Sequence, residues 1–269
     1  MSKTAIVTGA AQGIGRSIAL RLAADGMNVS LNDLPANLSK LQELASEINN
    51  SKSSKASEGA IVHIVTGDIS KAPDVQNLIK ETVSVFGSLD VMIANAGILV
   101  MQQIQDVVEE DWDKLISINL RGAMLCVKYA AQQMILQGKG GCILGLYYTF
   151  PSNGTELTGI TRSIGHAAGS AYSASKFAVR GLVQSSALDL GKHQIRVNCY
   201  APGFIDTEMS RKAMDIVQLD FQQTASAASP LARIGETTDV SNLVSFLASS
   251  QASFITGQTY GVCGGFYLD

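Results

Sequence analysis

The sequence predicts an α/β fold built as one doubly wound parallel sheet, and three observations carry that expectation. Short apolar runs rich in β-branched residues alternate with longer helical patterns, an order that forces parallel strands joined by right-handed crossovers. The first run, Lys3-Thr4-Ala5-Ile6-Val7-Thr8, passes directly into a glycine-rich turn that opens a helix. The length, 269 residues, is near the upper end of one α/β domain, so residues 1–269 are read as a single unit.

Strands are expected at about 3–8, 27–33, 60–66, 89–94, 141–147, 194–200 and 258–262, with helices between them. The first helix, about 14–24, puts Ile14, Ile18 and Leu22 on one face and ends at Asp25-Gly26. The second runs through Leu38, Leu41, Leu44 and Ile48 and dissolves into the polar 51–55 stretch, a surface loop. Two long helices, about 109–137 and 171–190, are apolar around more than one face, which points to oligomerisation.

Composition excludes several classes. With 46% hydrophobic and 16% charged residues and only 5 prolines, disorder is excluded. A net charge of -3 with no basic stripe argues against a nucleic-acid partner. The longest apolar run, Val91 to Met101, is broken by Asn95 and falls short of the ~20 residues that span a bilayer, so no membrane partner is expected. The N-terminus shows no basic patch with an apolar signal core, which argues against secretion. Cys126, Cys142, Cys199 and Cys263 form no CxxC, and His63, His166 and His193 lack ligand spacing. Reduced thiols, a cytoplasmic location and no metal site are the expectation.

Thr8-Gly9-Ala10-Ala11-Gln12-Gly13-Ile14-Gly15 follows the first strand. Glycines there let a backbone approach a pyrophosphate and present helix N-terminal amides to it, although such turns also arise for packing alone. No Lys-Ser or Lys-Thr follows, so a nucleoside-triphosphate loop is not supported. Strand two ends at Asp33, 18 residues beyond Gly15, where a carboxylate accepts ribose hydroxyls and repels a 2′-phosphate. No Arg or Lys flanks Asp33 or sits in the turn, which favours NAD over NADP. Tyr172 and Lys176, four apart on a helix, share a face, and an ammonium beside a phenol favours phenolate.

With Ala94-Asn95-Ala96-Gly97, Asn119 in Ser117-Ile118-Asn119-Leu120, and Pro202-Gly203-Phe204-Ile205-Asp206-Thr207, these motifs make the chain resemble the short-chain dehydrogenase/reductase family over nearly its whole length. The resemblance implies a Rossmann-type domain. It implies that Gly9, Gln12, Gly13, Ile14, Gly15 and Asp33 hold the dinucleotide, that Asp68 meets the adenine, and that Asn95 and Gly97 support the adenosine side. Pro202 and Gly203 lead into Ile205 and Thr207, which would meet the nicotinamide carboxamide. Tyr172 would shuttle the proton, Lys176 would hold the ribose and tune Tyr172, and Asn119 would anchor a water. The substrate implied is a small alcohol or ketone, the assembly a homotetramer. Within the family, residues 175–182 and the N-terminal half look most like acetoin and diacetyl reductases. Phe204, Met209, Met214, Ile216, Leu219 and Phe221 either line an apolar pocket or form an ordinary buried helix face.

One register departs from the family. Its hydroxyl donor near the end of strand five falls here on Tyr147 or Tyr148, too far ahead of Tyr172, so an insertion is placed at about 149–163. Ser163 is taken as the oxyanion donor because Ser163-Ile164-Gly165 resembles the serine and glycine run of the family. Ser152, Ser170, a tyrosine phenol and a lost hydroxyl stay open. Tyr147-Tyr148-Thr149-Phe150 could narrow the site, form a lid or pack against a neighbouring subunit. The leading expectation is an NAD-dependent secondary-alcohol oxidoreductase. The alternative is a dinucleotide-binding member without turnover, acting as sensor or scaffold.

Overall fold

The computed structural model describes residues 2–51, 60–147, 168–216 and 220–266. The proposed insertion at 149–163, with Ser152 and Ser163, and Tyr148 lie outside the described residues. The strands β1 (Thr4–Thr8), β2 (Asn28–Asn32), β3 (Val62–Ile64), β4 (Val91–Ala94), β5 (Gly141–Leu146), β6 (Ile195–Pro202) and β7 (Thr259–Val262) form one sheet in the order β3-β2-β1-β4-β5-β6-β7. Every pairing is parallel. The helices are α1 (Gly13–Ala24), α2 (Leu38–Asn50), α3 (Ala72–Phe86), α4 (Glu109–Ile116), α5 (Ala123–Gln137), α6 (Ser170–Leu190), α7 (Glu208–Ile216), α8 (Phe221–Ala228) and α9 (Thr237–Ala248).

Helices cover both faces. On one, Leu78 of α3, Cys126 and Met134 of α5, and Val179 and Val183 of α6 pack on Ile143 and Val197. On the other, Ile18 and Leu22 of α1, Leu41 and Leu44 of α2, and Val244 and Leu247 of α9 pack on Val7, Leu31 and Leu144. Each such side chain contributes about 1.5–3 kcal/mol on burial. Leu38, assigned to the inward pattern of the second helix, is exposed at its first turn.

The helix expected over 109–137 is not uniform. Between α4 and α5, Ser117–Gly122 is a π-helical segment, and Asn119 sits buried inside it. The strand order reverses between β1 and β4, whose crossovers run to opposite faces and leave a crevice at their carboxyl ends. The glycine turn, Asn95 and the N-terminus of α6 all open on that edge.

Candidate active site

The crevice holds a cavity of about 290 Å³. Of the residues assigned to it from sequence, Gly9, Gln12, Gly13, Ile14, Gly15, Asp33, Asp68, Asn95, Gly97, Tyr172, Lys176 and Thr207 line it. The turn after β1 needs its glycines. Gly9 has φ +65°, and a Cβ on Gly15 would lie 2.1 Å from the Gly9 carbonyl oxygen. Gln12 at the N-cap of α1 makes no side-chain cap and the first turn carries no acid, so the helix N-terminus offers its amides to an anion. This cradle fits a pyrophosphate.

Asn95 pins the turn to the sheet. Its Nδ2 donates to the Thr8 carbonyl at 2.9 Å, and its Oδ1 accepts from the Tyr200 hydroxyl at 3.1 Å. Burial keeps the Tyr200 phenol far above its usual range, hence a donor. Asp33 is equally fixed: Oδ2 accepts from the Ala11 amide at 3.0 Å, and Oδ1 from the Leu34 amide at 2.9 Å and Asn37 Nδ2 at 2.7 Å. Asp68 Oδ1 accepts from the Ser70 amide at 3.0 Å and hydroxyl at 2.7 Å. Burial raises the Asp68 carboxyl, but those bonds and nearby Lys71 outweigh it and hold the group below its ordinary value.

Sequence spacing missed two of these partners. Asn37 lies one turn beyond Asp33 in a segment that carries no motif. Lys40, on α2, donates to Gln12 Oε1 at 2.9 Å, so the glycine turn does have a lysine beside it. The turn itself holds no Arg or Lys, as its sequence shows; this contact joins residues 28 positions apart and depends on how α2 packs.

Tyr172 and Lys176 are both buried on one face of α6. Lys176 Nζ lies 5.4 Å from the centre of the Tyr172 ring and donates to the Leu146 carbonyl at 3.2 Å. Burial lowers the Lys176 ammonium to about 8. Burial also pushes Cys199 up to about 12, so it stands as a neutral thiol. The Asn119 carboxamide is engaged within the protein. Its Nδ2 donates to the Ile98 carbonyl at 2.9 Å and to Ser175 Oγ at 3.3 Å, while Oδ1 accepts from the Ile98 amide at 2.8 Å. The carboxamide thereby anchors the chain after β4.

Pro202 and Gly203 do not line the cavity. Pro202 pairs with Val262, and a Cβ on Gly203 would lie 2.8 Å from the Cys263 Cα, so both serve β6–β7 packing. Ile205 lines a second, adjoining recess of about 60 Å³ that shares Ile14, Leu146, Tyr172, Thr207 and Met209 with the first cavity. Phe204, Met209 and Met214 face this recess, which decides for the pocket reading at these three. Ile216 is 63% exposed, Leu219 lies outside the described residues, and so does the Phe221 side chain.

Tyr147 is not the missing hydroxyl. Its ring is buried in the core, edge-on to Phe177 at 6.1 Å, with the Arg180 guanidinium 5.9 Å away, and Leu146 faces the cavity instead. Ser170 opens α6 with its hydroxyl buried and unpartnered among the described residues. Among the described residues no cluster of three His, Cys, Asp or Glu could hold a metal, and no helix is long and apolar enough to cross a membrane.

A family described as enoyl-(acyl carrier protein) reductase matches residues 9–267. A short-chain dehydrogenase/reductase of Armillaria gallica is 42% identical over 270 residues, covering 99% of this chain and 97% of that one. The chain belongs to the short-chain dehydrogenase/reductase family. Another member, the 3-oxoacyl-(acyl-carrier-protein) reductase FabG of Staphylococcus aureus, is 37% identical over 268 residues, with 100% of this chain and 99% of that one covered. The crystal structure of levodione reductase superposes with a TM-score of 0.85 at 28% identity, over 98% of this chain and 96% of that one. The fold and the general NAD(P)-dependent oxidoreductase chemistry of short-chain dehydrogenases/reductases therefore apply here.

Proposed function

We propose that this short-chain dehydrogenase/reductase is an NAD-dependent oxidoreductase interconverting a secondary alcohol and a ketone, with Tyr172 as acid and base. The observation that carries the reading is the placement of Tyr172 on the wall common to the glycine-turn cavity and the apolar recess, with the Lys176 ammonium against its ring. When bound, the reduced nicotinamide supplies the hydride that adds to the carbonyl carbon. In that direction the Tyr172 hydroxyl gives its proton to the carbonyl oxygen; in the other it takes one back. Lys176 would stabilise the phenolate and hold the ribose. Asn119, which also donates to Ser175 Oγ, fixes the Ile98 backbone beside them. The Gly13 to Gly15 turn would hold the pyrophosphate, Asp33 the ribose and Asp68 the adenine.

NAD is favoured because Asp33 stands at the ribose end with three donors holding its charge in place. A homotetramer is supported by Leu136 on α5 and Leu188 on α6, 81% and 86% exposed on the two long helices. A cytoplasmic setting rests on reduced thiols, as in the sequence reading. The narrower likeness to acetoin reductases gains no support from the relatives described above.

The second reading, binding without turnover, is favoured by Leu146 facing the cavity at the end of β5 where the family places a hydroxyl. Ser163 remains the proposed donor. Ser163→Ala should then lower the rate by about 10²–10³. Following absorbance at 340 nm with a ketone panel separates the readings: NADH binding with no oxidation by any ketone selects the sensor or scaffold.

A further inference from the structure

The recess beside Tyr172 is walled by hydrocarbon. Leu99, Phe204, Met209 and Met214 surround it, and its floor is Ile14 and Leu146. Besides Tyr172, its hydroxyls are Thr207 and Ser210, which bond each other at 2.8 Å. Among the described residues no Lys, Arg, His, Asp or Glu lines it. The apolar wall is two layers deep: the Phe204 ring meets Phe266 edge-on at 5.7 Å, and Ile234 packs on the same cluster as Met214.

The cations on α7 are already engaged. Arg211 forms a fork with Asp206 at 2.7 and 2.8 Å, and Lys212 pairs with Glu208 at 2.7 Å. Lys176, on the cofactor side of the wall, donates to the Leu146 carbonyl. A carboxylate, phosphate or other anion entering the recess would lose its hydration and find no countercharge among the described residues. A hydrocarbon body gains by leaving water there.

We propose that the substrate is an uncharged ketone or secondary alcohol carried on a hydrocarbon body, aliphatic or alicyclic, and that Met214 helps set this preference. The proposal deepens the oxidoreductase reading and rests on it for the identity of the reacting group. It excludes 2-oxoacids, acidic thioesters and the small vicinal diketones as preferred substrates.

Two readouts test it. Thermal shift of the protein saturated with NAD⁺, on which a ketone forms a dead-end complex, reads binding without turnover; NADH oxidation at 340 nm reads catalysis. The probes are 2-methylcyclohexanone and 2-heptanone against pyruvate, acetoacetyl-CoA, diacetyl and acetoin. The expected result is a raised midpoint and a kcat/KM at least tenfold higher for the two hydrocarbon ketones. Met214→Gln should narrow that gap severalfold while NADH fluorescence titration stays unchanged; if it does not fold, the wild-type ranking decides alone. Hydrocarbon ketones that bind without oxidising NADH would uphold the ligand preference of the recess and overturn the oxidoreductase reading, so that they are ligands and not substrates. Equal or better binding of pyruvate, acetoacetyl-CoA, diacetyl or acetoin overturns the proposal, as does the absence of any shift. An unchanged preference in folded Met214→Gln removes Met214 from it.

Discussion

The two ends of the cleft are held by different forces. At the glycine-turn end, proposed above for the adenosine, each candidate side chain is bonded inside the protein: Asp33 to three donors, Asn95 to Thr8 and Tyr200, Asp68 to Ser70. At the reacting end the wall is apolar: Leu146, Phe204 and Met214 line the recess with the buried Tyr172, and the buried Lys176 lines the adjoining cavity. A hydrogen-bonded end is preorganised for one ligand and answers substitution with lost binding. A packed end can be reshaped and answers with altered preference or rate.

The sharpest way to separate the two ends is Tyr172→Phe. It keeps the ring beside Lys176 and removes only the transferable proton, so turnover should fall by about 10²–10⁴ or more while NADH affinity holds. Paired kinetics and fluorescence titration check this, and a variant retaining most of the rate would break the mechanism.

Next in size is Lys176, whose burial carries an energetic penalty. Its folded pKa of about 8 lies below the ordinary 10.5, so the unfolded chain holds more protons between those values. Stability of the cofactor-free protein should therefore rise with pH across about 8 to 10.5, and below that window a penalty of order 3 kcal/mol persists. Lys176→Met should remove it, raising the neutral-pH Tm of the cofactor-free protein while turnover collapses. Urea melts at pH 7 and pH 10 measure both; a variant that is less stable at pH 7 contradicts the assignment.

At the adenosine end the expected effects are smaller. NADH should bind about tenfold more tightly than NADPH, ~1.4 kcal/mol, because Asp33 repels the extra phosphate. Equal Kd values would remove Asp33 from that role. The smallest effect belongs to Lys40, the cation next to the turn: Lys40→Met should weaken NADPH about threefold, ~0.6 kcal/mol, and leave NADH alone. An unchanged ratio would mean that Lys40 serves only Gln12.

Sequence reading reached the sheet, the glycine turn, Asp33 and the Tyr172–Lys176 pair because each is local, fixed by a period or a spacing within one element. It could not decide the end of β5. In a strand one residue of slip exchanges the two faces, so Leu146 or Tyr147 could equally have looked into the cavity. Lys40 and Tyr200 reach the site across long stretches of chain, and only the packed fold brings them there. The π-helical register around Asn119 is likewise invisible to a hydrophobic pattern that continues through it.

That π-helical segment has a mechanical consequence. Through Asn119 it grips the Ile98 backbone under the reacting end. Through Arg121, which donates to the Ser70 carbonyl, and Gly122, where a Cβ would lie 2.5 Å from Ile69 Cδ1, it also braces the loop that carries Asp68. One clasp of six residues thus joins both ends of the cleft. Losing a single residue would let the helix wind into a plain α-helix and turn everything after it by about 100°. Cys126, Ala130 and Met134 would swing out of the core together. Point substitutions can tune either end of this enzyme separately, whereas a change of length in the clasp unseats both at once.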